Sequence, residues 1–159
     1  MNGEQEIIII AAMSENRVIG RDNALPWSVK GNLAHFREMT MGWPCIMGRR
    51  TWESLPKKPL PGRPNIIISK SMAQDSSIKV FSDLNRAVEY CCEYKKIFIC
   101  GGESIYIQAM ELADKIDLTL IAGFYDGDTF FPEIDNTFWK KNNSLNFDNY
   151  SIITYTKIR

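Results

Sequence analysis

The sequence lacks an excess of either charge and any long hydrophobic run. Its 159 residues include 19 Lys plus Arg and 19 Asp plus Glu, so the chain has no basic field that would attract nucleic acid or an anionic membrane. The apolar run at 7–13 is far shorter than the ~20 residues that span a bilayer, and it follows Glu4 and Glu6 instead of a basic leader. We therefore expect a cytoplasmic protein with no nucleic-acid or membrane partner.

Metal-binding and disulfide patterns are also missing. The four cysteines, Cys45, Cys91, Cys92 and Cys100, show no C-x-x-C spacing, and adjacent cysteines are a poor start for a disulfide framework. We expect reduced, buried thiols and no metal site. No internal repeat, low-complexity tract or linker divides the chain, so its length and its 45% apolar fraction predict one domain, residues 1–159.

Short apolar runs rich in β-branched residues alternate with helical stretches, which predicts an α/β domain. Consecutive apolar residues at 7–10, 66–68 and 97–99 are typical of central parallel strands covered on both faces. Alternation at 151–158 predicts an antiparallel strand nearer the sheet margin. The expected strands are 7–13, 44–48, 65–69, 79–81, 97–100, 116–122 and 150–158, and the expected helices are 30–41, 50–55, 83–94 and 103–113.

Three predicted helices follow strands directly, and helix N termini with unpaired amide hydrogens suit phosphate groups. At the first, Gly48 provides a tight turn before Arg49, Arg50 and Thr51, and Ser69 ends the next strand. A phosphate monoester would fit there, although the two arginines could equally be solvated surface charges. The paired glycines at 101–102 form a second such turn but lack the G-x-G-x-x-G spacing, which disfavours a standard two-halved dinucleotide fold.

Arg63 lies in a loop at 56–64 that contains four prolines. A guanidinium held by a stiff loop can bind a carboxylate through two parallel hydrogen bonds, which implies a small anionic ligand. The alternative is an exposed loop arginine without a partner.

Together these segments resemble dihydrofolate reductase over nearly the whole chain. The ordered motifs are Leu-Pro-Trp at 25–27, Pro-Cys-Ile-Met-Gly-Arg-Arg-Thr-Trp-Glu-Ser at 44–54, Leu-Pro-Gly-Arg at 60–63 and Ile-Cys-Gly-Gly at 99–102. The resemblance implies a single α/β domain with an eight-stranded, mostly parallel mixed sheet and flanking helices. It also implies that one cleft binds NADPH and 7,8-dihydrofolate and reduces the latter to tetrahydrofolate by hydride transfer, which would make the protein a target of antifolate inhibitors.

The resemblance assigns residues of this chain to three roles. Catalytic roles fall to Leu25, Trp27, Asn32 and Thr119. Substrate contacts fall to Ile10, Ala12, Asn32, Leu33, Phe36, Leu55, Leu60, Arg63, Cys100, Tyr106 and Thr119. Cofactor contacts fall to Ala12, Ile19, Gly20, Asn23, Gly48, Arg49, Arg50, Thr51, Ser54, Ser69, Cys100, Gly101, Gly102, Ser104 and Tyr106. The glycines at 101 and 102 match a pair that the family joins by a cis peptide. Asp128 matches a residue that anchors the loop at 19–25, although an aspartate in a turn before a strand is the simpler interpretation.

Asn32 departs from the family, which carries Asp or Glu at the matching position. That acid accepts both donors on one edge of the pterin and promotes protonation of the ring, whereas an amide offers one acceptor and two donors. Loss of a positioned proton source typically removes a factor of ~10² to 10⁴ in rate. Turnover at neutral pH is therefore expected to be weak and to increase toward acid, and diaminopyrimidine inhibitors are expected to bind weakly.

No other acid is predicted to replace the missing one, since Glu38 lies nearly opposite on the helix and Glu53 belongs to another helix. Asn32 could be a shape-preserving replacement of an acid, a natural variant that takes its proton from water, or the mark of a relative that binds without turnover. Reduction of another pteridine or of a riboflavin precursor, and non-catalytic binding of folate or NADPH, stay open as alternatives. His35 is expected at the surface or its boundary, and the protein is expected to be a monomer.

Overall fold

The structure is a computed structural model that describes residues 5–22, 24–27 and 32–159, with residue 32 described by its backbone alone. The strands are β1 (Glu6–Ser14), β2 (Val18–Gly20), β3 (Cys45–Gly48), β4 (Asn65–Ile68), β5 (Lys79–Phe81), β6 (Lys96–Ile99), β7 (Lys115–Ile121), β8 (Thr129–Phe130), β9 (Trp139–Asn146) and β10 (Tyr150–Lys157). The helices are α1 (Asn32–Thr40), α2 (Arg49–Ser54), α3 (Leu84–Tyr90) and α4 (Glu103–Ala109).

Eight strands form one mixed sheet in the order β5-β4-β3-β6-β1-β7-β10-β9. Every pairing from β5 to β7 is parallel, and the two pairings that involve β10 are antiparallel. This confirms the expected single α/β domain with a mostly parallel sheet. It also confirms that the consecutive apolar runs of β1 and β6 are central and that the alternating run of β10 lies near the margin.

The sheet is covered on both faces, as its unbroken apolar runs require. On one face, Ile7, Ile9 and Ile116 pack against α3 and α4 through Leu84 and Ile105. On the other face, which we call the α1 face, Ile8, Ile10, Cys45, Met47 and Phe98 contact Phe36 and Met39 of α1. Because successive residues of a strand point to opposite faces, the run of isoleucines in β1 supplies both cores.

Three strands were not predicted, for two different reasons. Seven of the eight residues of β9 are exposed, and this edge strand carries Lys140, Lys141 and several polar residues, which gives it no apolar run to detect. Strands β2 and β8 form a separate two-stranded sheet of three and two residues. Such short strands carry too few residues to show a period.

The helices are where they were predicted but are shorter at their C-terminal ends. Helix α3 ends at Tyr90 instead of residue 94, and α4 ends at Ala109 instead of residue 113. Turns follow both helices, and apolar residues in and just after these turns continue the helical pattern beyond the last helical residue. The expected cap of α3 is confirmed, since the Asp83 carboxylate accepts from the Arg86 amide at 2.9 Å. The predicted start of α1 at residue 30 lies outside the described residues. Within the described ranges, no helix has both the length and the apolarity to cross a bilayer.

A close backbone approach holds the segment before β8 against β2. A Cβ atom on Gly127 would lie 2.7 Å from the Gly20 carbonyl oxygen and 2.2 Å from a methyl carbon of Val18. The next residue, Asp128, donates its amide to the Gly20 carbonyl at 3.0 Å, and its carboxylate accepts from the Asp22 amide at 2.9 Å. These bonds tie residues 20–22 to the segment before β8, in agreement with the predicted anchor.

We expect Gly127→Ala to destabilise the protein by about 1–3 kcal/mol, because the added methyl group must push β2 away from this segment. Thermal unfolding of the variant measures the loss. Asp126→Ala, at the exposed neighbouring residue, is the control and should leave the melting temperature within about one degree. Equal melting temperatures for Gly127→Ala and the unaltered protein would contradict the close contact.

Candidate active site

The candidate site lies on the α1 face of β1 and β7. In the parallel register of these strands, Ile10 is opposite Asp117 and Ala12 is opposite Thr119. Ile10 is 4% exposed and Thr119 is 2% exposed. Partly buried apolar side chains surround the same core and include four of the predicted substrate contacts, namely Phe36, Leu55, Leu60 and Cys100. The fold therefore brings together residues that the sequence predicted as a pocket for flat rings. We call the surface formed by Ile10, Phe36, Leu55, Leu60 and Cys100 the apolar wall.

Two further predicted contacts are large apolar side chains that stay open to solvent. Leu33 of α1 is 69% exposed, and Leu25 is 49% exposed. Both side chains are accessible to a ligand, and their predicted contacts stay predictions. Asn23 and the side chain of Asn32 lie outside the described residues, so their predicted contacts stay predictions.

Trp27 is buried beside this wall, in a small cluster with Val18 and Ile121 that Ala12 also contacts. Its ring packs edge-on against Tyr125, with centroids 5.6 Å apart. Among the described residues, no polar atom accepts from its indole Nε1, which is fully buried. Buried indole nitrogens usually find a partner, and an ordered water would supply one here.

Arg63 is held rigidly at the opposite end of the wall. Its Nη1 donates to the Thr40 hydroxyl at 2.8 Å and its Nε donates to the Pro61 carbonyl at 2.9 Å. The Thr40 hydroxyl itself donates to the Phe36 carbonyl at 2.7 Å, so the last turn of α1 fixes the guanidinium. Only two of the five guanidinium hydrogens are used in these bonds. The remaining donors suit a carboxylate ligand, as predicted.

Two glycine turns meet where the nucleotide was predicted to bind. The Gly48 amide donates to the Gly101 carbonyl at 2.8 Å, which joins the turn before α2 to the turn before α4. The Gly101–Gly102 peptide is cis, as the resemblance implied. A Cβ atom on Gly102 would lie 3.2 Å from the Thr51 hydroxyl, so a side chain would fill the space between the two helix N termini. Because the glycines carry no side chains, this space stays open for a phosphate chain. We call the space bordered by Gly48, Thr51, Gly101 and Gly102 the cradle.

Polar side chains extend this cradle along the ends of β3 and β4. Arg49 donates to the Glu53 carboxylate at 3.0 Å and to the Ser71 hydroxyl at 3.1 Å. The Ser69 hydroxyl accepts from the amides of Ser71 and Met72. Arg50 is exposed, Thr51 is partly buried, and the exposed Ser54 and Ser104 donate and accept within their own helices. An exposed arginine pair beside two serines suits a phosphate monoester.

Tyr106 reaches the site from the far face of the sheet. Its ring is buried in the core beneath α4, 5.0 Å from that of Phe131, and its hydroxyl donates to the Ile10 carbonyl at 2.8 Å. A Cβ atom on Gly101 would lie 3.2 Å from this ring. Tyr106 therefore supports both Ile10 and the glycine pair from below. Ile19 is partly buried against the same core, and Gly20 is buried.

One buried acid on this face, Asp117, was not predicted from the sequence. His35 Nε2 and Asp117 Oδ1 are 2.8 Å apart, so the carboxylate accepts when that nitrogen carries a proton, and the side chains of Asp117 and His35 are 9% and 18% exposed. The expected position of His35 at the surface or its boundary agrees with its intermediate burial, but its contact with β7 was not predicted. The hydrogen bond to Asp117 raises the pKa of His35 above 6.5 more than burial lowers it. The sequence does contain a signal for this buried acid, because Asp117 stands between Ile116 and Leu118 in an apolar strand.

The comparisons with known proteins agree on one family. The sequence model of dihydrofolate reductase matches residues 6–157. The chain is 45% identical to dihydrofolate reductase of Neisseria gonorrhoeae over 137 residues, which cover 86% of this chain and 85% of that protein. It is 38% identical to dihydrofolate reductase of Haemophilus influenzae over 142 residues, covering 89% and 86%. Among solved structures, dihydrofolate reductase from Enterococcus faecalis complexed with NADP(H) and RAB-propyl superposes with a TM-score of 0.88, at 28% identity and 96% coverage of both chains.

Proposed function

This chain belongs to the dihydrofolate reductase family, and from that premise we propose that Asn32 makes it an acid-favoured reductase whose turnover is weak at neutral pH. The family reaction is the NADPH-dependent reduction of dihydrofolate. The observation that carries the proposal is the amide in the first turn of α1. Asn32 stands where the family's acid promotes protonation of the pterin.

The residues of the cradle fit the nicotinamide dinucleotide. Gly102 and Thr51 line a gap that any side chain at residue 102 would fill, and the paired turns present amide hydrogens to a pyrophosphate. Arg49, Arg50 and Ser69 would hold the phosphate monoester that distinguishes NADPH from NADH. Ala12, Gly20 and Cys100 would border the nicotinamide. When bound, NADPH supplies the hydride.

The α1 face would hold the substrate. Ile10, Phe36 and Leu60 bury the flat ring system and exclude water from it, which strengthens polar contacts inside the cleft. Thr119 would hydrogen-bond the ring's amino group, directly or through a water. Arg63 would hold a carboxylate of the glutamate tail. Alignment of two flat rings accounts for much of the acceleration that such a cleft provides.

The proton is the step that Asn32 changes. A neutral amide does not release a proton near pH 7, so the ring nitrogen must take its proton from another source. Because protonated substrate becomes scarcer as the pH rises, turnover is expected to fall with pH. We also propose that the protein acts as a monomer in the cytoplasm, which its membership of the family supports.

Steady-state consumption of NADPH with dihydrofolate, measured from about pH 5 to pH 8, tests the function. We expect turnover to be several-fold higher near pH 5.5 than near pH 7.5. Parallel binding measurements for NADPH and dihydrofolate control for loss of affinity. A flat profile with high neutral activity would contradict the role given to Asn32. Tight binding without turnover at any pH would instead indicate a non-catalytic binder.

A further inference from the structure

The His35–Asp117 pair is a partly buried hydrogen-bonded contact in the candidate site, and it becomes an ion pair when His35 is protonated. Among the buried polar residues of the described chain, which are Ser14, Thr40, Asn65, Asp117 and Thr119, only Asp117 is ionisable. Burial of a lone carboxylate is costly, and the imidazole nitrogen at 2.8 Å offsets that cost. A well-packed apolar pair of similar volume would typically stabilise the contact between α1 and β7 as well or better. Stability alone therefore gives no reason for this chemistry at this place.

The pair is close to the position of the missing acid. His35 follows Asn32 by three residues in α1, and side chains at this spacing are neighbours about 5–6 Å apart. Asp117 precedes Thr119 by two residues in β7, so both point to the α1 face, about 7 Å apart along the strand. The pair thus lies about one helical turn along α1 from residue 32 and two residues along β7 from the predicted pterin contact Thr119. One or two water molecules would span either gap.

We propose that the His35–Asp117 pair is the proton store of the substrate cleft and supplies, through water, the proton that the family's acid would deliver. When His35 is protonated, the Nε2–H of the imidazolium donates to the Asp117 carboxylate. Its Nδ1–H bond breaks as a proton passes to a water molecule, which releases one of its own protons to the ring nitrogen of dihydrofolate. The electron pair for the new carbon–hydrogen bond comes from NADPH. His35 is 18% exposed at its side chain, which allows a proton from solvent to restore the imidazolium.

The charged groups around the pair favour protonation of His35. Asp117 is the nearest charge from β7, and Glu38, three residues along α1, adds a weaker attraction. The next charged residue on this face of β7 is Lys115, whose ammonium is held by Glu6 at 2.7 Å. Opposite Asp117, β1 and β10 present Ile10 and Thr154, and β9 presents Asn143 opposite Thr154. The hydrogen bond to Asp117, together with the charges of Asp117 and Glu38, raises the pKa of His35 above its ordinary 6.5 despite the opposing effect of burial, which increases the share of imidazolium at neutral pH.

The same pair makes stability depend on pH in a defined direction. Because the folded pKa of His35 lies above the unfolded value of 6.5, its stabilising contribution is fully present below pH 6.5. That contribution is lost as the pH rises through the folded pKa. Stability of His35→Gln should lack this decline.

His35 is the only histidine of the chain, so its imidazole resonances can be assigned without ambiguity. An NMR titration of the unaltered protein should place its midpoint above 6.5, and the midpoint should move when folate and NADP⁺ are bound. Asp117→Asn should move the midpoint to lower pH. Glu89→Gln, at an exposed acid of α3 on the opposite face of the sheet, is the control and should leave the midpoint unchanged.

Turnover as a function of pH separates proton supply from a structural role. The pH profile of turnover for the unaltered protein should contain a step at the midpoint that NMR gives with folate and NADP⁺ bound. This step should move to lower pH in Asp117→Asn. In His35→Gln it should vanish, and turnover near pH 7 should fall by about tenfold, which is less than the ~10² expected for a group that transfers the proton directly. Glu89→Gln should keep the profile of the unaltered protein.

The inference rests on the proposed function, but the two fail in different ways. Absence of NADPH consumption at every pH would overturn the proposed function, and an imidazole midpoint insensitive to bound folate would then overturn the proton store as well. Superimposable pH profiles for His35→Gln and an active unaltered protein would overturn the proton store alone. If His35→Gln does not fold, the profile of Asp117→Asn and the ligand-dependent titration decide the matter.

Discussion

Asn32→Asp should raise turnover of dihydrofolate at neutral pH by at least ~10-fold and by as much as ~10⁴-fold. The substitution keeps the size of the side chain and replaces its two donors by an acceptor oxygen, so that both donors on one edge of the pterin can be satisfied. The restored carboxylate also favours the protonated ring electrostatically. The measurement is kcat at about pH 7 together with the pH profile, in which the increase toward acid should become shallower.

Two controls separate a restored acid from other effects. Asn32→Ala removes the amide without adding an acid, so its neutral turnover should not exceed that of the unaltered protein. Asn85→Asp adds the same charge on the exposed side of α3, far from the α1 face, and should leave kcat unchanged. Diaminopyrimidine antifolates, which gain a charged partner in Asn32→Asp, should bind it more tightly. No gain at neutral pH would show that another residue or another substrate governs the proton step.

The outline of the fold could be predicted because it depends on buried, continuous apolar segments. The isoleucines of β1 and the Ile-Phe-Ile run of β6 must be covered on both faces, and this alone favours central parallel strands. Strand β9 was not predicted because an exposed edge strand needs no apolar residues for burial. Its lysines and other polar residues give it a composition typical of a loop. The C-terminal ends of α3 and α4 were overestimated since apolar residues such as Cys91 and Ala113 are buried by the turns that follow.

The candidate site was predictable in its motifs and unpredictable in its long-range contacts. Glycine turns and the Arg63 loop are local in sequence, so their chemistry can be inferred from a few neighbouring residues. The contact of His35 with Asp117 joins residues 82 positions apart, and no local pattern indicates that these two side chains meet. The hydroxyl of Tyr106 on the Ile10 carbonyl, 96 positions away, is a second contact of this kind. The missed acid thus reflects tertiary packing of α1 on β7.

The second large effect concerns the substrate's tail. Arg63→Ala should raise KM for dihydrofolate by ~10- to 100-fold, because hydrogen bonds to a charged group contribute about 1.5–3 kcal/mol. The value of kcat should change little, since the tail is far from the reacting atoms and is held equally in the ground and transition states. Arg63→Lys should recover only part of the affinity, because an ammonium cannot form two parallel bonds to a carboxylate.

A substrate without the tail provides the matched comparison for Arg63. KM for a dihydropterin that lacks the glutamate should be the same in Arg63→Ala and in the unaltered protein, which separates tail binding from damage to the cleft. Arg86→Ala, at an arginine that is 72% exposed at its side chain on α3, controls for the loss of one positive charge. Melting temperatures should accompany these assays, since Arg63 also contacts Thr40. An unchanged KM for dihydrofolate in Arg63→Ala would mean that the guanidinium does not hold the tail, and reduction of a tail-free pteridine or of a riboflavin precursor would then become the better interpretation.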